Sequence, residues 1–264
     1  MLVNGKRRHT NAELNSSNQI GRGDVAYDFN AIPQVAIGSI EVLRDGAAAQ
    51  YGSDAIAGVL NVQLDKSTGF VGRARYGVTD AGDGQDIQLG AAQGIEIGDG
   101  GFLRLSASYQ DHGHTNRARP DTRQQYFGNA GGTLVLPSGN FGSGTGLTPS
   151  NGVLDPREAT FNRNDWIYGE PDYRNASLFF NAEYPLSAGV TAYAFGGYNQ
   201  LNGVSYNFIR RAGQDEAVRA IFPNGFRPEQ HSRLENASLA AGLKGGDLAG
   251  FGWDLSSEYG TSFD

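Results

Sequence analysis

Residues 40–64 read IEVLRDGAAAQYGSDAIAGVLNVQL, and they decide the fold. Ile40, Val42 and Leu43 are strand formers. Asp45-Gly46 is a turn pair, because glycine accepts positive φ without steric cost. Ala47, Ala48 and Ala49 form a compact run, and Tyr51-Gly52-Ser53-Asp54 turns the chain again. Ala57-Gly58-Val59-Leu60-Asn61-Val62 returns to a β pattern, with small residues where another backbone passes closely. Working outward, Leu2 to Asn4 reads as a short strand and Lys6 to Asp28 as a polar loop. Pro33 suits the start of a short helix leading into the strand at Ile40.

Beyond Ser67 the hydrophobic period becomes two. Phe70, Ala74, Tyr76 and Val78 alternate with Val71, Arg73 and Arg75; Leu103, Leu105, Ala107 and Tyr109 alternate with Arg104, Ser106, Ser108 and Gln110. Ile87, Leu89, Ala91 and Ile95 follow the same rule, as do Ala176 to Tyr184, Ala237 to Leu243 and Phe251 to Tyr259. Apolar groups on one face and polar or charged groups on the other form the dyad of a membrane-barrel strand, with lipid outside and lumen inside. For Val190 to Leu201 the pattern leaves open which face Tyr193 and Phe195 take. The connections are short at 97–101, 185–189 and 245–250 and long at 112–171 and 202–232, the asymmetry expected between periplasmic turns and outer loops. Residues 80–85 are the misfit, short where a long loop is due.

Composition agrees. Glycine is 39 of 264 residues, about twice its average share, and charged residues are only 19%. No run approaches the ~18 apolar residues of a membrane-spanning helix, which leaves a barrel open. Net charge is −7, against a nucleic-acid partner. There are no cysteines, so thiolate metal sites and disulfides are impossible.

At Ile40–Leu64 the chain resembles the TonB-dependent receptors of the Gram-negative outer membrane, whose plug domain ends in a similar EVLRG…YG..AIGGV(I/L)N run. Leu2-Val3-Asn4-Gly5-Lys6-Arg7-Arg8 resembles the plug's LVNG.R strand, and Ala31-Ile32-Pro33 its (L/A)IP step. The resemblance implies a mainly β chain: the C-terminal part of an α+β plug over residues 1–66, then the first strands of a large antiparallel transmembrane β-barrel, incomplete, over 67–264. It implies that the segment after Lys6 rises to the plug apex, with Arg8, His9, Asn11, Asn15, Asn18 and Arg22 as substrate contacts. It also implies that Glu41 and Arg44 hold the plug to the barrel.

The function so implied is energised uptake of a scarce, bulky small molecule or metal chelate, such as a siderophore–iron complex, cobalamin or a carbohydrate. The partners are the TonB complex and outer-membrane lipid. The coupling motif that TonB grips precedes the plug in this family and is absent from these residues. No signal peptide opens the chain, and it stops in mid-pattern, so the expectation is a fragment. About seven strands are present where plugged transporters have roughly 22, and an open edge in lipid costs several kcal/mol per unpaired group. On that arithmetic the chain alone does not transport.

Nothing in the sequence supports an enzyme or a cofactor. His112-x-His114 lacks a third ligand at a metal spacing, and Asp80, Asp83 and Asp86 lack calcium-loop spacing. Gly142–Gly146 lacks the Lys-Ser/Thr of a phosphate loop. Two other readings are a passive porin or adhesin barrel, which the plug-like opening opposes, and a soluble Gly-rich carbohydrate-binding β-domain. The second predicts apolar residues facing inward.

Overall fold

The computed structural model describes residues 1–10, 26–44, 51, 55, 58–126, 129–130, 133–134, 155–187, 189–214, 217, 220–248 and 250–263. A small sheet of four strands contains β1 (Leu2–Val3), β2 (Lys6–Arg7), β3 (Ile37–Arg44) and β4 (Gly58–Leu64), in the order β2-β1-β4-β3. β1 runs parallel to β4, with Leu2 opposite Asn61 and Val3 opposite Val62, and β3 is antiparallel to β4. Lys6 and Arg7, expected in a loop, form β2 instead. The signal was Asn4-Gly5, a hairpin dipeptide whose residues take φ of 47° and 78°. The short helix expected after Pro33 is two 3-10 turns, Phe29–Ala31 and Gln34–Ala36, and β3 begins directly after them at Ile37.

The close approach expected in the return strand falls at Gly58. Its φ is +135°, and a Cβ there would lie 2.5 Å from the Leu43 carbonyl oxygen. Only glycine fits both conditions.

The large sheet has seven antiparallel strands. They are β5 (Gly69–Gly77), β6 (Asp86–Ile97), β7 (Gly101–His112), β10 (Asp172–Ser187), β11 (Val190–Tyr206), β12 (Glu229–Leu248) and β13 (Phe251–Phe263). The order β13-β12-β11-β10-β7-β6-β5 is a simple meander. The two-residue strands β8 (Asn129–Ala130) and β9 (Thr133–Leu134) pair with each other inside the longest connection. β11 and β12 run past the expected boundaries into what reads as loop, because their pairing continues to Tyr206 opposite Glu229.

The alternation expected of the large sheet is present. Leu105, Leu178, Phe251 and Leu255 are exposed on the face turned away from the small sheet, and Arg104, Asn175, Ser177, Asn181, Asn199 and Asn236 are buried on the face turned toward it. Tyr193 and Phe195 point inward with this polar set. One core joins the two sheets: Val3, Ile32, Ala36 and Leu64 pack against Phe179, Tyr193, Phe195 and Ala240. The turn at 78–85 lies at the same end of the sheet as the long connections. It is braced there by Arg117 Nη1 to Asp83 Oδ2 at 2.6 Å and Gly84 N to His114 O at 3.1 Å. A short turn at that end is supported by its long neighbour.

Candidate functional site

The inward face of the large sheet grips the small sheet through polar contacts in three tiers. Nearest the short turns, Lys6 Nζ is 2.9 Å from Asp254 Oδ1, and Tyr193 OH donates to the same oxygen at 2.7 Å. Beside them Glu183 receives Lys66 at 2.7 Å and Lys244 at 2.9 Å, and both Lys6 and Lys244 lie over the Tyr193 ring. Burial works against the Lys6 charge, but the hydrogen bonds it donates to Asp254 and Tyr193 outweigh it and raise its pKa.

In the middle tier, Arg104 is 3% exposed and pairs with Asp65 at 2.9 Å while donating to the Ser67 carbonyl at 2.8 Å. Asn181 donates to the Asp65 carbonyl at 3.1 Å and meets Asn4 Nδ2 at 3.3 Å. A side chain at Gly94 would run into the Ser67 carbonyl, so the linker between the two sheets lies flush against β6.

The upper tier is a rung of amides and hydroxyls. Asn199 Nδ2 reaches Asn175 at 2.5 Å and Ser177 at 2.8 Å, and Ser262 Oγ reaches Asn236 at 2.8 Å. Asn175 also donates to the Asn30 carbonyl at 2.9 Å, near the long-connection end.

The residues expected to meet substrate are placed as follows. Arg8 is buried, donates to Ser238 Oγ at 3.1 Å and lies over the Phe179 ring; burial lowers its pKa, partly offset by Asp28. His9 packs at Gly260, and burial followed by the Arg8 charge lowers its pKa. Lys6, Arg8, His9 and Thr10 thus climb the sheet from Asp254 past Ser238 and Gly260 to Ser262. Both Arg8 and His9 touch the large sheet rather than open solvent. Asn11, Asn15, Asn18 and Arg22 lie outside the described residues.

Glu41 and Arg44, expected against the barrel, are exposed. Glu41 accepts from Asn61 at 2.8 Å and from Gln63 at 3.3 Å. The physical reason is the strand order: β3 is the edge of the small sheet. Against the seven described wall strands, the contact is made by Asn4, Lys6, Arg8, Asp65 and Lys66. Their inward-facing partners Asp254, Glu183 and Asn181 were findable from strand parity alone.

The two long connections fold against each other. Arg211 and Gln125 are fully buried. Arg211 donates to the Gln124 carbonyl at 3.0 Å, and Gly213 N to the Gln125 carbonyl at 2.9 Å. Tyr126 OH meets Asn224 at 2.9 Å. His112 and His114 diverge. His112 stacks on Tyr173 between Asp86 and Glu170, whereas His114 binds Asp172 at 2.9 Å. Among the described residues no cluster of three or more ligating side chains occurs.

A polar inner wall gripping a small sheet by breakable contacts is the arrangement of a plug in a barrel. The family model of the TonB-dependent receptor plug domain matches residues 1–59. Those residues are a TonB-dependent receptor plug.

The wall follows the same likeness. The siderophore receptor PirA from Acinetobacter baumannii superposes with a TM-score of 0.59 at 19% identity, covering 99% of this chain and 31% of that one. The ferric enterobactin receptor PfeA of Pseudomonas aeruginosa, in complex with BCV-L6, gives 0.60 at 16% identity, covering 99% and 32%. In sequence, a probable TonB-dependent siderophore receptor PirA of A. baumannii is 32% identical over 128 residues, 46% of this chain and 16% of the relative. The vitamin B12 transporter BtuB of Photobacterium profundum is 28% identical over 156 residues, 58% and 25%. The chain spans a third or less of the length of each. The seven strands are the wall of a receptor-type barrel, not closed among the described residues, and these relatives are receptors and transporters, not enzymes.

Proposed function

We propose that this chain belongs to an outer-membrane receptor of a Gram-negative cell that takes up a scarce, bulky substrate, with TonB supplying the energy. Residues 1–66 act as the plug and 67–264 as wall, with the apolar outer face against lipid. The observation that carries the reading is the plug–wall seam. It is fixed by the Lys6–Asp254, Lys66–Glu183 and Arg104–Asp65 pairs, contacts that a pull on the plug can break without unfolding the wall. The relatives favour a ferric siderophore or a cobalamin as the substrate class.

In this reading the segment containing Arg8, His9, Asn11, Asn15, Asn18 and Arg22 carries the plug apex. Thr10 meets Ser262, and Asn30 meets Asn175, both on the half of the wall nearer the long connections. Glu41 and Arg44, on the free edge β3, are assigned to further wall. The test is uptake of radiolabelled ferric siderophore and of cyanocobalamin in the native host, with the gene intact, deleted, or intact in a strain lacking TonB. Uptake of one substrate is lost in both altered strains. Uptake unchanged by either alteration overturns the reading.

A further inference from the structure

One row of inward-facing residues crosses the wall in register: Gly90 opposite Ser108, Ser108 opposite Ser177, Ser177 opposite Asn199, and Asn199 opposite Asn236. The row is not covered evenly. Ser177, Asn199 and Asn236 are buried, while Gly90 and Ser108 are half-open. The openness comes from a cavity of about 330 Å³ between the plug and β5–β7. β6 and β7 are interior strands, although the space over them also reaches the edge strands β5, at Arg73, and β3, at Ile37 and Ile40.

The two sides of the cavity differ in chemistry. The plug side presents Phe29, Val35 and Ile37 together with Gln34, which accepts from the wall's Arg73 at 3.3 Å; the wall side also presents Gln88 and Gln110. The polar lining continues toward the long connections. Gln88 and Gln110 both bind Asp86, and Gln110 also binds the Tyr173 hydroxyl at 3.0 Å. Downward it stops abruptly. Ala92 and Ser106 are covered, and Arg104 is pinned to Asp65 and the Ser67 carbonyl. A second cavity, of about 270 Å³, lies against β12–β13. Arg8, bound to Ser238, and His9, packed on Gly260, line it where the chain climbs toward the rim, and Phe179 and Phe195 back it.

We propose that substrate descends along the inner face of β5–β7, and that the Arg104–Asp65 pair is the constriction at the lower end of this route. The proposal rests on the uptake reading above. A polar wall facing a plug surface of mixed character offers an amphipathic solute hydrogen bonds from Gln88 and Gln110 and apolar contact from Phe29, Val35 and Ile37. The linker that lies against Gly94 is held there by the Arg104–Asp65 pair, by Arg104 on the Ser67 carbonyl, by Asn181 on the Asp65 carbonyl and by Lys66–Glu183, and Arg104 supplies two of these four contacts.

The test uses the absence of cysteine from these residues. Ser108→Cys and Ser177→Cys are near-isosteric changes at directly paired positions on neighbouring strands. In whole cells, a membrane-impermeant methanethiosulfonate reagent labels Ser108→Cys about tenfold faster than Ser177→Cys, since reactivity follows access. Labelling of Ser108→Cys then abolishes uptake. Arg104→Gln makes the cells more sensitive to vancomycin, whereas Arg117→Gln, which loses an ion pair at the rim and outside the seam, leaves sensitivity unchanged. Equal labelling rates, or full uptake after complete labelling of Ser108→Cys, overturns the route. Unchanged vancomycin sensitivity in Arg104→Gln overturns the constriction. The labelling rates are read without uptake, so a receptor that transports neither probe refutes the function and not the route.

Discussion

The plug sheet and the wall sheet obey opposite rules. β4 buries Val59, Val62 and Leu64, as a strand in a water-soluble protein does, whereas the wall exposes Leu178 at 62% and Phe251 at 75% and buries Asn199 at 1%. Where water is on one side and protein on the other, burial of apolar area drives packing. Where lipid is on the outside, apolar groups gain nothing by turning inward, and the polar groups collect in the lumen. The two sheets meet on the wall's inner face, so the seam between them must be partly polar. One chain thus holds two solvent regimes about a single interface.

The comparison can be broken first at its apolar ends. Leu64→Ala should cost about 2–5 kcal/mol by cavity formation in the plug core. Leu178→Arg should cost about 2–4 kcal/mol at the bilayer midplane, and most of that cost should be absent from Ser108→Arg on the half-open part of the inner face. Denaturant titration in lipid vesicles reads both. A Leu178→Arg variant as stable as the parent would mean that the outer face does not meet lipid.

Asn199→Ala sharpens the comparison from the other side. It leaves the amide and hydroxyl groups of the upper rung unpaired in a buried site, for about 1–3 kcal/mol, in the same titration. A neutral result would show that water replaces the amide and that the rung is wet.

The smallest effect is a pH dependence at the seam. Burial and the Arg8 charge lower the pKa of His9 in the folded state. The unfolded chain therefore binds more protons than the folded one in the window below the ordinary value of about 6.5. His9 contributes its full stabilisation above that pH, and the contribution falls as pH drops toward the folded pKa. Protection factors at residues 8–10, the intrinsic exchange rate at each pH divided by the observed rate, should fall on acidification from pH 7.5 to 5, and His9→Gln should flatten the profile.

The wall was legible in the sequence because its period of two is imposed by solvent on each strand separately. Each of the runs at Phe70, Leu103, Ala176 and Phe251 carries its own assignment. Tyr193 and Phe195 were not legible, since an aromatic suits either face. Inward placement is fixed by Tyr193 bonding to Asp254, sixty-one residues away. The plug motif located β3 and β4, but Glu41 and Arg44 could not be placed, because strand order, not strand identity, decides which edge meets the wall. Lys6 was hidden by its setting in a polar run, although Asn4-Gly5 marked the hairpin that puts it on β2. The long connections gave the least. Their glycine and asparagine content reads as loop, and the contacts that fold them join residues nearly a hundred positions apart, as Tyr126 and Asn224 do.

Those contacts bear on how such a receptor is re-engineered. Gln124 and Gln125 belong to one connection and Arg211 and Gly213 to the other, and the two carbonyls of the first accept from the Arg211 side chain and the Gly213 N–H of the second. A graft of one connection onto a foreign scaffold would carry half of a lock. The two connections are one structural unit, and a transplant of either has to bring both segments together.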